Sequence, residues 1–276
     1  MKKEAFIAMA DYRIIDVHTH IFPEKIAAKA VASIGEFYNL PMTGTALASD
    51  LDREERAHGV ERNLIFSTAT TPHQAASINS FIHEQCAQYP AFIGFGTLHP
   101  EMEGPFAEIE RICALGLRGV KFHPDFQNFD IDDGRMIPVY RRIAEYHLPV
   151  LFHMGDLRYD HSHPERLARV LDKIPELRVI AAHFGGYSVW DEAVRLLAGS
   201  QAYYDTSSSL MFLEPAHVRD LIDALGTDRM LFGTDFPMWK IGEELDRFFA
   251  LGLSEEDNRK ILAGNFLRAF PEMTGV

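Results

Sequence analysis

Eight short apolar segments, each followed by a helix-length segment, constrain the fold of this chain more than any other feature. They begin near residues 14, 62, 91, 118, 149, 178, 202 and 229. The later ones recur at intervals of roughly 25–30 residues, which is the length of one strand–helix–strand unit. Their continuous apolar character is typical of parallel strands that are covered on both faces. No repeat of the sequence itself accompanies this recurrence, which argues against a solenoid.

Eight such units in 276 residues predict an α/β fold, and specifically a (β/α)8 TIM barrel. An open doubly wound sheet is the alternative, but the first predicted strand is not followed by the G-x-G-x-x-G pattern. We expect one barrel domain over residues 1–276, with residues 1–10 as a peripheral segment. Residues 254–270 are predicted to form a helical hairpin that extends the barrel at its C-terminus. Ser188 and Ser254 are predicted to begin helices as N-caps.

The charge and the cysteines limit the classes of partner. A formal net charge of −13 disfavours nucleic acid and anionic membranes. It leaves a small anionic substrate open, since a site can be locally positive. Cys86 and Cys113 lack metal or redox spacing, and we expect free thiols in a reducing compartment. No window approaches about 18 continuous apolar residues, so we expect a soluble, cytoplasmic protein.

Histidines and one aspartate stand at the ends of the predicted strands. The first strand carries Asp16, His18 and His20 at alternate positions, so their side chains share one face. Neutral imidazole is a common ligand for zinc and other transition metals. Later strands end in further groups of this kind, which are His123, His153, His183 and Asp235. Because the strand ends of a barrel form one rim, we expect these side chains to converge there.

Five motifs carry these residues in a fixed order. They are DVHTH at 16–20, GVKFHP at 119–124, VLFH at 150–153, AHFGG at 182–186 and LFGTDFP at 231–237. Taken together, the series resembles the amidohydrolase superfamily, and most of all the branch that includes aminocarboxymuconate-semialdehyde decarboxylase and related hydrolases and hydratases. The closing segment Asn265-Phe266 also fits. The likeness extends from Arg13 to Phe270.

The resemblance implies a barrel that holds one divalent metal ion. It implies that the ligands are His18, His20, His153 and Asp235, and that His183 helps to activate water or to orient the substrate. Three imidazoles and a carboxylate leave an open position for water, as in zinc enzymes. We therefore expect Zn²⁺, with Mn²⁺ as the alternative. Asp235, as general base, and His183, which stabilises developing negative charge, are the expected catalytic residues.

Three further residues are expected to bind substrate, namely Lys121, His123 and Arg158. Arg158 follows the fifth strand and could hold a carboxylate through two parallel hydrogen bonds. In other branches of the superfamily a carboxylated lysine on the fourth strand bridges two metals. In the branch that this chain resembles the site has one metal, so Lys121 is expected to form a structural ion pair or to bind a substrate carboxylate. The sequence leaves a second metal open, and it leaves Asp16 as a candidate for orienting the ligands.

The expected activity is hydrolysis of a small, carboxylated or cyclic substrate by a metal-activated water. Non-oxidative decarboxylation at the same metal is the alternative, since both reactions need the same ligands. A barrel that binds a metal or a ligand without turnover is a third hypothesis, and the complete ligand set argues against it. The expected partner is a small molecule. The oligomeric state is left open, a homodimer included.

Overall fold

Nine parallel strands surround a central core in the computed structural model, which describes residues 12–273. In chain order the strands are β1 (Ile14–His20), β2 (Val60–Phe66), β3 (Phe92–Gly94), β4 (Gly96–Thr97), β5 (Val120–Phe122), β6 (Val150–Phe152), β7 (Val179–Ala181), β8 (Tyr203–Asp205) and β9 (Met230–Leu231). The predicted third strand is divided at Phe95 into β3 and β4, so nine strands fill eight positions. The predicted peripheral segment, residues 1–10, lies outside the described residues.

The strands close into a barrel. Strands β1 to β3 pair in order, and so do β4 to β9, with every pair parallel. The Phe95 N–H donates to the Ile65 carbonyl at 3.0 Å, which connects the two sets. The Val17 N–H donates to the Phe232 carbonyl at 3.0 Å, which joins the first strand to the chain after the last. The predicted (β/α)8 barrel is therefore confirmed.

Helices follow the strands and cover the outside of the barrel. They are α1 (Glu24–Tyr38), α2 (Ala48–Ala57), α3 (Ala75–Gln88), α4 (Pro105–Ala114), α5 (Pro124–Gln127), α6 (Ile137–Glu145), α7 (Pro164–Lys173), α8 (Trp190–Leu197), α9 (Pro215–Leu225), α10 (Ile241–Phe249), α11 (Glu255–Arg259) and α12 (Asn265–Ala269). None of the helices within residues 12–273 has the length and apolar character needed to cross a membrane.

The C-terminal segment differs from the predicted hairpin. Ser254 does cap the helix, since its Oγ accepts the N–H of Asp257 at 3.1 Å. Helix α11 then continues through a π-helical turn, Lys260–Gly264, into α12 without leaving helical dihedral angles. A hairpin needs a residue that breaks this geometry, and Gly264 adopts an ordinary helical conformation instead. Phe266 and Phe270 pack against the apolar side chains inside the barrel, so this extension closes one end of it.

The predicted cap at Ser188 is also wrong. Ser188 has a φ of 61°, and helix α8 begins two residues later after Val189, which makes no side-chain capping bond. The Ser188 hydroxyl instead accepts the N–H of Leu157 at 3.1 Å. It thereby connects the loop after β6 to the loop after β7.

Candidate metal centre

Two histidines of β1 and one aspartate beyond β9 form a compact group at the barrel rim. Nε2 of His18 and Nε2 of His20 lie 3.5 and 3.3 Å from Oδ1 of Asp235. Two ligands held at about 2.0–2.1 Å from a tetrahedral ion are about 3.4 Å apart. The spacing of these three ligand atoms therefore fits one metal ion. Asp235 reaches this position because β9 ends at Leu231 and the chain turns through a φ of 67° at Asp235.

Asp205 sets the orientation of the His18 ring. Oδ2 of Asp205 lies 2.9 Å from Nδ1 of His18, and both side chains are buried. The carboxylate accepts a hydrogen bond from Nδ1–H, so Nε2 carries no proton and its lone pair faces His20 and Asp235. A carboxylate behind an imidazole in this way is typical of metal-ligating histidines. Asp205 also accepts the backbone N–H of His183 at 3.0 Å.

His183 and His153 face each other through unprotonated nitrogens. The Ser207 carbonyl can only accept, so Nδ1 of His183, 3.0 Å away, carries the proton. For the same reason Nε2 of His153 donates to the Gly155 carbonyl at 3.1 Å. The remaining nitrogens, Nε2 of His183 and Nδ1 of His153, are 3.0 Å apart. Two facing lone pairs repel each other, so this pair fits a position beside a cation.

His153 lies in a second group rather than in the compact one. Its ring stacks on that of His123, with centroids 3.9 Å apart, and its Nε2 lies 3.7 Å from Oδ2 of Asp125. Within residues 12–273, ligand atoms fall within 4.8 Å of one another in three sets: His18, His20 and Asp235; His18, His183 and Asp205; and His123, Asp125 and His153. The predicted four ligands thus adjoin one another but do not form a single set in this structure.

His123 orients a tyrosine that the sequence did not single out. Nδ1 of His123 accepts the N–H of Phe126 at 3.3 Å, so the proton of the neutral ring is on Nε2. This Nε2 lies 3.0 Å from the hydroxyl of Tyr38 and donates to it. The Tyr38 proton is then free to point into the cavity that Tyr38 lines. Tyr38 ends helix α1, so no strand-end pattern marks it.

Lys121 adjoins the compact group at the ligand atom of His18. Its side chain is fully buried, with Nζ 3.3 Å from Nε2 of His18 and 4.8 Å from the centre of the Phe66 ring. Burial lowers the pKa of Lys121 to about 7. Among residues 12–273 no carboxylate lies within ion-pairing distance of its Nζ, so the predicted structural ion pair is not formed. Its role toward substrate stays a prediction, and Lys121 is not part of the cavity wall.

Arg158 occupies a different place from the one predicted. Its guanidinium binds both carboxylate oxygens of Asp156, with Nε–Oδ1 at 2.9 Å and Nη2–Oδ2 at 2.7 Å. It also donates to the Phe37 carbonyl and lies 4.4 Å from the centre of the Phe37 ring. The guanidinium that was expected to hold a substrate carboxylate therefore binds Asp156 instead. In the described part of the chain, Arg158 does not line the cavity.

Asp16 supports the backbone rather than a histidine ring. Oδ1 accepts the N–H groups of His18 and Thr234, each at 3.0 Å, and Oδ2 accepts the Thr234 hydroxyl at 2.5 Å. Asp16 thus fixes β1 against the segment that carries Asp235. Burial raises the pKa of Asp16 to about 7.

The electrostatics of the group favour a cation. Burial lowers the pKa of four imidazoles around the centre, which are those of His18, His20, His123 and His153. Neutral imidazole is the form that binds a metal. Burial alone would raise the pKa of Asp235, but His18 and His20 hold it below its usual range. Neutral nitrogens around an ionised carboxylate are a suitable ligand set for a divalent ion.

A cavity of about 1250 Å³ opens onto these side chains. His18, His20, His123, His153 and Asp235 line its inner end. The wall also carries five aromatic side chains, which are Phe22, Phe37, Tyr38, Phe81 and Phe126. His183 is buried beside this wall without forming part of it.

Asp125 was missed by the strand-end reasoning and lies on the same wall. Its Oδ2 accepts the Ser162 hydroxyl at 2.5 Å, while its buried Oδ1 has no hydrogen-bond partner among the described residues. Burial raises the pKa of Asp125 to about 6. Asp205 was missed as well, although it ends a strand in the same manner as the predicted ligands.

Comparison with known proteins agrees with the fold. The chain is similar to gamma-resorcylate decarboxylases of Polaromonas sp., with 29% identity over 71% of this chain and 76% of that protein, and of Rhodococcus jostii, with 23% identity over 68% and 73%. Among solved structures, it is similar to a TIM-barrel protein from Bordetella bronchiseptica, with 22% identity, a TM-score of 0.77 and coverage of 95% of this chain and 99% of that chain.

A second solved structure, from Polaromonas sp., is a dihydroxybenzoic acid decarboxylase with bound manganese and the inhibitor 2-nitroresorcinol. It has 22% identity, a TM-score of 0.73 and coverage of 94% of this chain and 97% of that chain. At these identities the solved structures establish the barrel alone. Residues 15–271, nearly the whole chain, match the family model described as amidohydrolase. The chain therefore belongs to the amidohydrolase family, and it is a metal-dependent enzyme of that superfamily.

Proposed function

We propose that this protein is a metal-dependent, non-oxidative decarboxylase of a ring-hydroxylated aromatic acid of the resorcylate type. The observation that carries the proposal is the meeting of His18, His20 and Asp235 at the end of an aromatic-walled cavity. Both similar curated proteins are gamma-resorcylate decarboxylases. The comparisons thus support the decarboxylase alternative better than the hydrolysis that we expected first.

His18, His20 and Asp235 would hold the ion, with Nδ1 of His153 as the fourth ligand. When bound, a divalent cation supplies positive charge that attracts the carboxylate and the adjacent hydroxyl of the substrate. Asp205 keeps the proton of His18 on Nδ1, so that Nε2 remains a ligand. Nε2 of His183 lies 3.0 Å from Nδ1 of His153, so His183 borders the ion position, and we retain it as a residue that orients the substrate.

Asp235 is assigned the proton transfer. It takes the proton of the substrate hydroxyl and returns it to the ring carbon that bears the carboxylate. The bond from that carbon to the carboxyl carbon then breaks, its electron pair restores the aromatic ring, and carbon dioxide leaves. The phenolate that remains takes a proton from water. The atoms and charges balance without an oxidant or a reductant.

Two further residues are placed to bind the substrate hydroxyls. Oδ1 of Asp125 is a buried acceptor on the cavity wall that has no partner within residues 12–273. An unpaired buried oxygen of this kind is stabilised when a ligand donates to it. The Tyr38 oxygen already accepts a hydrogen bond from Nε2 of His123, so the Tyr38 hydroxyl can donate its own proton to the substrate. The aromatic rings of the wall would stack on the substrate and exclude water.

The test is incubation of the protein, loaded with Mn²⁺ or with Zn²⁺, with 2,6-dihydroxybenzoate. We expect release of carbon dioxide and resorcinol in equal amounts, and a loss of roughly 10²–10⁴-fold in kcat for Asp235→Asn. Hydrolysis of lactones or amides without carbon dioxide release from any hydroxybenzoate would contradict the proposal. So would full activity in Asp235→Asn.

Elemental analysis of the purified protein would identify the metal. We propose one divalent ion per chain, zinc or manganese, because imidazole and carboxylate ligands suit both. We also propose that the chain acts as one catalytic domain, since strands from both ends of the sequence supply ligands. A metal content near zero after preparation in the presence of both ions would contradict the metal assignment.

A further inference from the structure

The apolar face of helix α1 borders the cavity instead of the core. Ile26, Ala30, Ile34 and Phe37 follow one another at intervals of four, four and three residues, so they share one face of the helix. All four line the cavity. Ala27 is the single buried residue of this helix, and Ile26 keeps 43% of its surface exposed.

Helix α3 supplies a second apolar wall. Ile78 and Phe81 are three positions apart on one helix face, and both line the same cavity. The exposed side chains of Lys25 and Lys29 on α1 and of Glu84 on α3 also line the cavity, together with Ser33, Ser77 and Ser80. One cavity therefore joins the histidines to apolar residues of two helices, with hydroxyl and charged side chains beside them.

The size of this space exceeds what a single-ring acid needs. Its volume of about 1250 Å³ lies above the range of roughly 300–1,000 Å³ that is typical of sites for drug-sized ligands. The apolar face of α1 from Ile26 to Phe37 is about 16 Å long, at 1.5 Å for each helical residue. A hydroxybenzoate seated at the histidines would leave most of this length unfilled.

We propose that the natural substrate is a ring-hydroxylated aromatic acid that carries an unbranched alkyl chain, and that the chain lies between α1 and α3. This inference rests on the proposed decarboxylase function. We call the space between α1 and α3 the groove. Its occupant is an apolar chain of the substrate because the groove is continuous with the end of the cavity at the histidines. Its walls at Ile26, Ala30, Ile34, Ile78 and Phe81 offer aliphatic and aromatic contacts, and each methylene removed from water improves binding about fourfold.

The first test uses the metal-loaded protein and a series of 4-alkyl-2,6-dihydroxybenzoates with methyl, propyl, pentyl and heptyl chains. We expect kcat/KM to rise about two- to fourfold with each added methylene until the groove is full, mainly through KM. Ile34→Trp places a large ring in the groove and should reduce the pentyl-to-methyl ratio of kcat/KM toward one. Ala28→Trp, on the exposed face of the same helix, is the matched control and should keep the wild-type ratio.

The second test measures binding of the corresponding 5-alkylresorcinols by calorimetry and needs no turnover. Affinity that rises with chain length supports the groove even if no acid is decarboxylated, in which case the proposed function alone fails. Turnover of 2,6-dihydroxybenzoate with a flat response to chain length, in both rate and binding, overturns the inference and leaves the function standing. A flat response together with a change of oligomeric state in Ile34→Trp also overturns it, since the groove would then be an interface between copies of the chain.

Discussion

At the scale of single residues, the centre depends on carboxylates and carbonyls that fix the protons of imidazoles. Asp205 accepts from Nδ1 of His18, and the Ser207 carbonyl accepts from Nδ1 of His183. Each contact leaves Nε2 without a proton. His183 and Asp235 both adopt left-handed backbone conformations, with φ of 59° and 67°. Such conformations in non-glycine residues cluster at functional sites, where the surrounding structure sustains their strain.

Replacement of Asp205 tests this arrangement. In Asp205→Asn the amide can donate to Nδ1 of His18, which would move the ring proton to Nε2 and block the ligand position. We expect the affinity for metal to fall roughly 10–100-fold, as is typical when the partner behind a ligating histidine is lost. Competition with a chromophoric chelator would measure the change. Asp223→Asn, on the exposed face of α9, is the control, and equal metal affinity in both variants would argue against the role of Asp205.

At the scale of elements, helix α1 is fastened at its C-terminal end. Arg158 lies over the Phe37 ring, the Tyr159 ring stacks on Phe37 at 5.6 Å, and Tyr38 contacts His123. The remainder of the helix contributes one buried residue, Ala27. The loop after β6 therefore secures the end of α1 that adjoins the candidate metal centre.

Loss of the Arg158 side chain should loosen this helix. We expect Arg158→Ala to increase amide hydrogen exchange across residues 24–38 and to raise KM several-fold, because Tyr38 would lose its fixed position. The guanidinium is partly exposed, so global stability should change by less than about 1 kcal/mol. Arg195→Ala, which removes an exposed arginine of α8, is the control. Unchanged exchange in α1 would show that the contact does not secure the helix.

Glu244 of α10 gives a prediction for pH. Burial raises the pKa of Glu244 from 4.5 to about 7, although Arg247 opposes the shift. The folded state thus favours the protonated form, and the stability that this contributes is full below pH 4.5 and is lost as pH rises to about 7. The loss is of the order of 3 kcal/mol. Denaturant unfolding across this range should show a flatter profile for Glu244→Gln, whereas Glu243→Gln, half-exposed on the same helix, should follow the wild type.

At the scale of the whole molecule, the proposed ion would join the first strand of the barrel to the segment after the last. His18 and His20 belong to β1, and Asp235 follows β9. The Asp235 N–H also connects these two segments, since it donates to the His18 carbonyl at 2.8 Å. A bound metal would therefore stabilise the closed barrel as well as the site.

Removal of the metal should lower stability accordingly. With free metal at a thousand times its dissociation constant, binding contributes about 4 kcal/mol, which corresponds to a melting temperature higher by roughly 10 °C. Calorimetry before and after chelation would measure the difference, and added Mn²⁺ or Zn²⁺ should restore it. The chelator should have no effect on His18→Ala. A wild-type melting temperature that does not respond to chelation would contradict this prediction.

Particular residues show how far the sequence could lead. The alternation of β1 identified His18 and His20, and the strand ends identified His123, His153, His183 and Asp235, since period and breaks are local properties. Asp205 obeyed the same rule and was overlooked. Tyr38 could not be found in this way, because it ends a helix that reaches the rim only through packing. Asp125 follows β5 by three residues and could have been found by the same rule. The roles of all these residues in catalysis stay predictions.

The sequence by itself determined the barrel, because eight apolar segments with polar strand ends admit few other folds. Its five motifs indicated the family through their resemblance to the amidohydrolase superfamily. Only the tertiary structure decided which side chains meet. It paired Arg158 with Asp156, placed Lys121 beside Nε2 of His18, and placed His153 next to His123 and His183. Such contacts depend on loop paths and ring orientations, which arise from packing between segments distant in sequence. The sequence pattern of a single strand therefore does not predict these contacts.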